Sequence, residues 1–304
     1  MLSTFVAQLI NGLTIGSFYA LVALGYSMVY GVMKLINFAH GDLFALGSYL
    51  GYSFLVALSG IVSAHLGLWA GLAVAAGLSL VATAIAGLLV ERLAYRPVYK
   101  AGRLPLVVSA LGISIVIENL IMVVWGPRYQ TFPADLVPQT VIAVGGLNVS
   151  VLQVMILALS FILFIIVFFL IEKTDFGLAV RASALDKDTA TLMGVDFRKV
   201  IFFVFTLGPG LGGVAGVMVG AHYGRIMFTM GWGYGLKAFT ASILGGIGNI
   251  PGAMLGGLLL GLLETFFSGY VSSAWKDVFV TLVLIIVLIV KPTGILGEKT
   301  AEKV

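Results

Sequence analysis

FTASILGGIGNIPGAMLGGLLLGLLETFF, residues 239–267, is apolar enough to lie in a bilayer and too interrupted to cross it as one regular helix. It carries Gly245-Gly246, Gly248, Asn249, Pro251-Gly252 and Gly256-Gly257. Proline removes a helical N–H, and glycine loses more backbone freedom in a helix than any other residue. Backbone freed at membrane depth is tolerated only where protein or a water-filled cavity satisfies it. Two readings stay open: half-length or tilted helices meeting near residues 248–252, or two short helices joined by a loop at the surface. Parity requires an irregular segment here. From a cytoplasmic Lys199, one crossing to His222 and two more would leave the Lys-bearing C-terminus on the wrong side.

Outward from this stretch, apolar runs cover residues 5–32, 43–58, 66–90, 106–125, 151–171, 200–222 and 278–290, which with 239–267 makes eight segments. The chain is 60% hydrophobic and 10% charged, with a mean hydropathy of +1.12. These values describe an all-α polytopic membrane protein, about eight transmembrane segments with glycine-rich broken helices, rather than a domain folding in water. Residues 1–304 form one membrane domain with a water-facing loop at 172–199. Twelve of the seventeen Lys and Arg residues fall at 92–103, 173–199 and from Lys291 onward, so all three places face the cytoplasm. The linker 126–150, with Pro127, Pro133, Pro138 and Gly145-Gly146, then lies on the opposite side. The first charge is Lys34, so the N-terminus lacks the basic region of a cleavable signal. The net charge of +4 comes from loops and reports topology, with no nucleic-acid partner implied.

Glycines 208, 212, 216, 220 and 224 recur every four residues and form a groove on one helix face. Gly12/Gly16, Gly47/Gly51 and Gly67/Gly71 repeat the spacing, which predicts close helix contact. Ionisable groups inside apolar runs are few, and each has a cost in hydrocarbon that calls for a reason. Glu118 with Asn119 interrupts LGISIVIENLIMVVW, and Glu264 interrupts GGLLLGLLETFF. Each is a candidate for helix pairing or for the solute path. Asn37, His40 and Asp42 stand in INFAHGDLF, at what reads as an interfacial turn between the first two segments. Asn37 is placed to bond freed backbone groups and Asp42 to cap the following helix.

The loop EKTDFGLAVRASALDKDTATLMGVDFRK, residues 172–199, holds ten of the thirty charged residues. Ser183 and Asp186 fit a capping box, and Gly194 fits a left-handed C-cap, which predicts a helix over 184–193. Leu185, Thr189, Leu192 and Met193 then give a mostly apolar stripe outside the membrane, suited to a partner groove. A solvated helix in an ordinary loop is the alternative.

Catalytic chemistry finds no inventory. There are no cysteines, the three histidines are dispersed, and no G-x-S-x-G elbow or G-x-x-x-x-G-K-[ST] phosphate loop occurs. No cofactor or metal is expected in this chain, and energy for uphill transport has to come from another polypeptide. A self-sufficient channel or secondary carrier is the other class, with Asn37, His40, Glu118 or Glu264 repeated by symmetry around a path.

Asp188-Thr189-Ala190, Leu192 and Gly194-Val195 resemble the E-A-A...G-I cytoplasmic motif of bacterial ABC importer permeases, with Asp188 and Thr189 departing from the common Glu and Ala. INFAHGD (residues 36–42) and KAFTASILGGIGNIPGAMLGGLLLG (residues 237–261) resemble more narrowly the LivH-type permeases of branched-chain amino acid importers. The resemblance covers essentially the whole chain. It implies a bacterial cytoplasmic-membrane permease paired with a second, LivM-type permease. Two cytoplasmic ATPase subunits would bind ATP and Mg, and an extracytoplasmic binding protein would deliver the solute. Leucine, isoleucine and valine are the default substrates, with urea, short amides and other amino acids as alternatives. The same resemblance makes the motif helix a coupling element. Arg181, Asp186 and Asp188 would meet the ATPase at its rim, with Leu185, Ala190, Leu192, Met193 and Gly194 in or beside the groove. Asn37, His40, Asp42, Glu118, Asn119, Gly245, Gly246, Gly248, Asn249 and Glu264 are the candidates for the path or its gate.

Overall fold

The computed structural model describes residues 2–62, 65, 67–144 and 147–297. Gly145-Gly146 of the linker and the charged tail 298–304 lie outside the described residues. The elements are α1 (Leu2–Met33), α2 (His40–Ala57), α3 (Ser59–Ile61), α4 (Leu68–Val90), α5 (Arg103–Trp125), α6 (Val151–Lys173), α7 (Asp175–Leu185), α8 (Lys187–Leu192), α9 (Phe197–Tyr223), α10 (Met230–Gly245), α11 (Ile250–Tyr270) and α12 (Lys276–Val290). Four short strands, β1 (Gln130–Thr131), β2 (Val141–Val144), β3 (Leu147–Ser150) and β4 (Arg225–Ile226), pair as β1 with β4 and β2 with β3, both antiparallel. Six helical stretches among the described residues are long and apolar enough to cross a membrane: Ser3–Met33, Leu68–Val98, Arg103–Trp125, Val151–Lys173, Phe197–Tyr223 and Ile250–Tyr270. The apolar runs at 43–58 and 278–290 are also helical, as α2 and α12, but shorter. At 1.5 Å per residue, α10 reaches only about 24 Å, short of a hydrocarbon core of roughly 30 Å.

The centre of the bundle is α9, whose sequence carries the four-residue glycine repeat. Gly208 faces Gly25 of α1, Gly212 and Gly216 face Phe44 and Ser48 of α2, and Gly220 faces Phe132. A Cβ at Gly216 would overlap the carbonyl oxygen of Phe44, so only glycine permits this approach. The Ser48 hydroxyl donates to the Gly216 carbonyl at 2.8 Å, a bond that close backbones allow. Gly224 takes the left-handed conformation (φ 70°) and stops the helix. Two of the other small-residue pairs act likewise: Gly12 and Gly16 of α1 meet Leu258, Gly261 and Leu262 of α11, and Gly47 of α2 meets Gly213; Gly67/Gly71 does not, because Gly67 (φ 73°) precedes α4 with nothing within 4 Å of its Cβ position and Gly71 meets only the Val62 side chain.

Neighbouring helices fix sidedness. Pairs such as Gly25/Gly208 and Ala20/Gly257 make α1 antiparallel to both α9 and α11, so Lys34, Lys199 and Asn249 share one end of the bundle. Gly87 of α4 against Phe205 and Pro209 brings the basic 92–103 segment to that same end. The linker 126–150 joins the opposite end through β1 and β4.

The interrupted segment 239–267 resolves into α10 and α11, meeting in a tight turn at 246–249. Gly246 (φ 110°) and Gly248 (φ 93°) provide backbone that side-chain-bearing residues rarely adopt. Asn249 caps α11 by accepting from the Gly252 N–H at 2.7 Å, and Pro251 occupies the first turn, where its missing N–H costs nothing. The chain's last described segment lies against this turn: the N–H groups of Ile295 and Leu296 donate to the carbonyls of Leu244 and Gly245 at 2.9 Å each. Asn249 Nδ2 donates to Leu296 O at 3.0 Å. The turn therefore stands at the Lys-bearing end of the bundle, and the loop between two helices is the arrangement found.

One expectation is overturned here. Asn37, His40 and Asp42 are not interfacial; they are 1%, 0% and 2% exposed. After Met33 the chain turns back at Lys34 (φ 53°) and returns into the bundle, so that His40 Nε2 lies 3.1 Å from the Val22 carbonyl of α1. Val22 stands eleven residues before the end of α1, about 16 Å along its axis. Thus α2 starts inside the protein. Polar residues tend to mark interfaces in sequence, but here they satisfy the backbone of a re-entrant turn. Asn37 Oδ1 accepts from Ala39 N–H at 3.1 Å and from Tyr95 OH at 2.8 Å, the role its amide was assigned. Asp42 does not cap α2; Ala39 holds the N-cap position, and the Asp42 carboxylate accepts from Ser114 of α5.

Candidate functional site

A cavity of about 650 Å³ opens between α1, α10, α11 and α12 at the end of the bundle opposite Lys34. Its volume lies within the ~300–1,000 Å³ typical of small-molecule sites. Glu264 of α11, buried at 4% exposure, accepts from Tyr19 OH at 2.7 Å and from Lys237 Nζ at 2.7 Å. The same Lys237 ammonium lies 2.7 Å from Asp277 at the start of α12, whose side chain is largely exposed. One lysine thereby ties three helices, and Tyr19 adds a fourth. Tyr223 and Tyr234 line the wall together with Thr265, whose buried hydroxyl has no partner among the described residues.

At the opposite end, residues 172–199 form a charged ledge fixed to α6 and α9. Thr174 caps α7 by accepting from Gly177 N–H at 3.2 Å. Arg181 donates to the Ile171 carbonyl at 2.6 Å and to Glu172 at 2.8 Å, tying α7 to the end of α6. Phe176 stacks on Phe203 of α9 with ring centroids 5.7 Å apart. The single helix expected over 184–193 is instead two. Ser183 sits inside α7 with its hydroxyl buried, and Asp186 is the real N-cap, accepting from the N–H groups of Asp188 and Thr189 at 3.0 and 3.1 Å. Asp186 rather than Ser183 has the extended backbone (φ −151°, ψ 108°) that an N-cap requires, whereas Ser183 is helical within α7. Gly194 (φ 93°) ends α8 as its sequence position required. Leu185, Leu192 and Met193 are 85%, 87% and 81% exposed, an apolar patch that water alone does not explain. Ala190 is buried and faces the protein rather than outward. Asp186→Ala removes two capped amides and is expected to cost α8 about 1 kcal/mol. Hydrogen exchange at Asp188 and Thr189 would then quicken by roughly fivefold while α9 stays protected.

The sequence profile described as "branched-chain amino acid transport system / permease component" matches residues 8–288. The chain belongs to that family. This permease is 41% identical to the high-affinity branched-chain amino acid transport system permease protein LivH of Escherichia coli strain K12, over 99% of its own length and 98% of the relative's. It is 40% identical to the corresponding BraD protein of Pseudomonas aeruginosa over the same shares. It is also 28% identical to a probable LivH of Methanocaldococcus jannaschii over 91% of this chain and 88% of that one. The permease is a multi-pass protein of the cytoplasmic membrane.

The candidate path residues of the permease do not form one site. Glu264 lines the cavity. Asn37, His40 and Asp42 form a separate buried cluster near the start of α2, where Gly231 of α10 packs on Asp42. Gly245, Gly246, Gly248 and Asn249 belong to the turn at the Lys-bearing end. Glu118 and Asn119 lie on peripheral α5: Asn119 is exposed and bonds its own helix at Ile115 O (2.8 Å), whereas Glu118 is half-buried and within electrostatic range of the Asp42 carboxyl on α2. Lys237, which lines the same cavity as Glu264, is not among the path candidates that the sequence singles out. The signal lay in its position two residues before the apolar run at 239, with the run's lone acid, Glu264, awaiting a partner.

Proposed function

We propose that this chain is the membrane permease of an ATP-driven importer for branched-chain amino acids, paired with a second, LivM-type permease. Two cytoplasmic ATPases would dock on the 172–199 ledge, and a binding protein would deliver solute at the opposite end. Near-full-length identity to the LivH and BraD permeases supports the substrate class. The observation that carries the coupling is the exposed Leu185, Leu192 and Met193 patch on a ledge tied by Arg181 and Phe176 to α6 and α9. Closure of an ATPase dimer would displace that ledge as a unit, and the glycine-packed bundle would follow as a rigid body between two access states.

Arg181, with its guanidinium committed to Ile171 and Glu172, acts in this scheme as the brace of the ledge rather than as a direct contact. Asp186 caps α8 and holds it in register. Asp188 stays exposed at the rim. The ATPases, not this chain, would hold ATP and Mg.

The test is purification of the tagged chain from its native membrane in mild detergent, with identification of its companions and an ATP hydrolysis assay. Recovery of two ATPases and a second permease, with leucine uptake that requires ATP after reconstitution, is the expected result. Recovery of this chain alone, with flux in liposomes independent of ATP, would replace the importer reading with a channel or carrier.

A further inference from the structure

We propose that the cavity between α1, α10, α11 and α12 is a binding site for the zwitterionic head of an amino acid, with Glu264 taking the ammonium and Lys237 the carboxylate. The inference rests on the importer reading for its substrate class and deepens it by naming a site within this chain.

Both charges line the cavity and retain bonding capacity. The Glu264 carboxylate accepts from Lys237 through Oε1 and from Tyr19 through Oε2, which leaves lone pairs for a further donor. Lys237 spends two of its three N–H groups on Glu264 and Asp277, so one is free for a carboxylate oxygen. The two partners of a zwitterion therefore find complementary charges 2.7 Å apart without the pair having to break. Thr265, next in sequence to Glu264, adds a buried hydroxyl with no partner among the described residues, on the cavity wall. Charge-assisted bonds of this type are roughly twice as strong as neutral ones, and stronger still away from bulk water. Tyr19 and Tyr234, with ring centroids 6.1 Å apart, and Ile15 supply the apolar surface that a branched side chain needs.

A purely structural ion pair would behave differently. Replacing a buried pair by apolar residues of similar volume is often neutral or stabilising. The variant Lys237→Met with Glu264→Leu therefore separates the two roles. The purified permease in lipid nanodiscs is melted alone, with L-leucine, with leucine amide, which lacks the carboxylate, and with 4-methylpentanoate, which lacks the ammonium. Leucine is expected to raise the melting temperature of the natural chain by several degrees, by mass action on the folded state. The two half-ligands should give at least tenfold weaker protection at equal concentration. The double variant, which leaves Tyr19 OH and Asp277 without these partners, should still unfold cooperatively and show no shift with leucine. No leucine shift in the natural chain, equal shifts with the half-ligands, or a leucine shift preserved in the double variant each overturns the site. None of these readouts involves ATP or a companion subunit, so the site can fail while the importer reading stands, and the reverse.

Discussion

Under the proposed coupling, aspartate at both Leu192 and Met193 is expected to abolish ATP-driven uptake and to leave the membrane bundle folded. Both side chains stand more than four-fifths exposed in the isolated chain, so their replacement removes almost no internal packing. Surface changes of this kind cost within about 0.5 kcal/mol of folding stability. In a docked complex the same residues would be desolvated anchors, and anchors of this type are worth about 2 kcal/mol each or more. Their joint loss, with two carboxylates placed in an apolar groove, is expected to weaken the proposed ATPase association by roughly a thousandfold. Pull-down of the ATPases and leucine uptake report the association; thermal melting of the permease reports the fold. ATPase binding and uptake at natural levels in this variant would sink the coupling role of α8.

Gly261→Val is expected to destabilise the bundle strongly. A Cβ there overlaps the backbone of Gly16 and approaches Gly12 O on α1, and a backbone cannot rotate away as a side chain can. The seam between α1 and α11 would have to open, at about 3 kcal/mol or more. Gly112→Val on α5 is the matched control, since nothing lies within 4 Å of the position its Cβ would occupy. In detergent the first variant should lose its cooperative unfolding transition and the second should melt near the natural chain. Equal behaviour of the two would show that the seam is looser than its geometry.

The seam and the glycine face of α9 were both legible in the sequence, because four-residue glycine spacing has one physical use in a helix surrounded by lipid-like surface. The apolar runs also gave most of the membrane helices to within a few residues, but α10 begins at Met230, nine residues before the run at 239, because its first half carries glycines and polar groups. What the residues did not disclose were properties that depend on where the chain goes next. Asn37, His40 and Asp42 look the same in sequence whether a turn sits at the surface or dives beside Val22. Ser183 and Asp186 both satisfy the local rule for a cap, and only the change of direction after α7 selects Asp186. Lys237 and Glu264 are 27 residues apart and meet only because α10 and α11 fold back on each other. The family resemblance drawn from INFAHGD and residues 237–261 agreed with the profile match and with the near-full-length relatives, whereas the roles of individual path residues had no such support.

The turn between α10 and α11 has a bearing on how the chain is made. Its carbonyls at Leu244 and Gly245 receive their donors from Ile295 and Leu296, some fifty residues later in synthesis. Every membrane helix can thus be inserted before this corner of the protein is closed. A chain stopped after Val290 would carry α1 to α12 and still expose an unfinished turn at its Lys-bearing end.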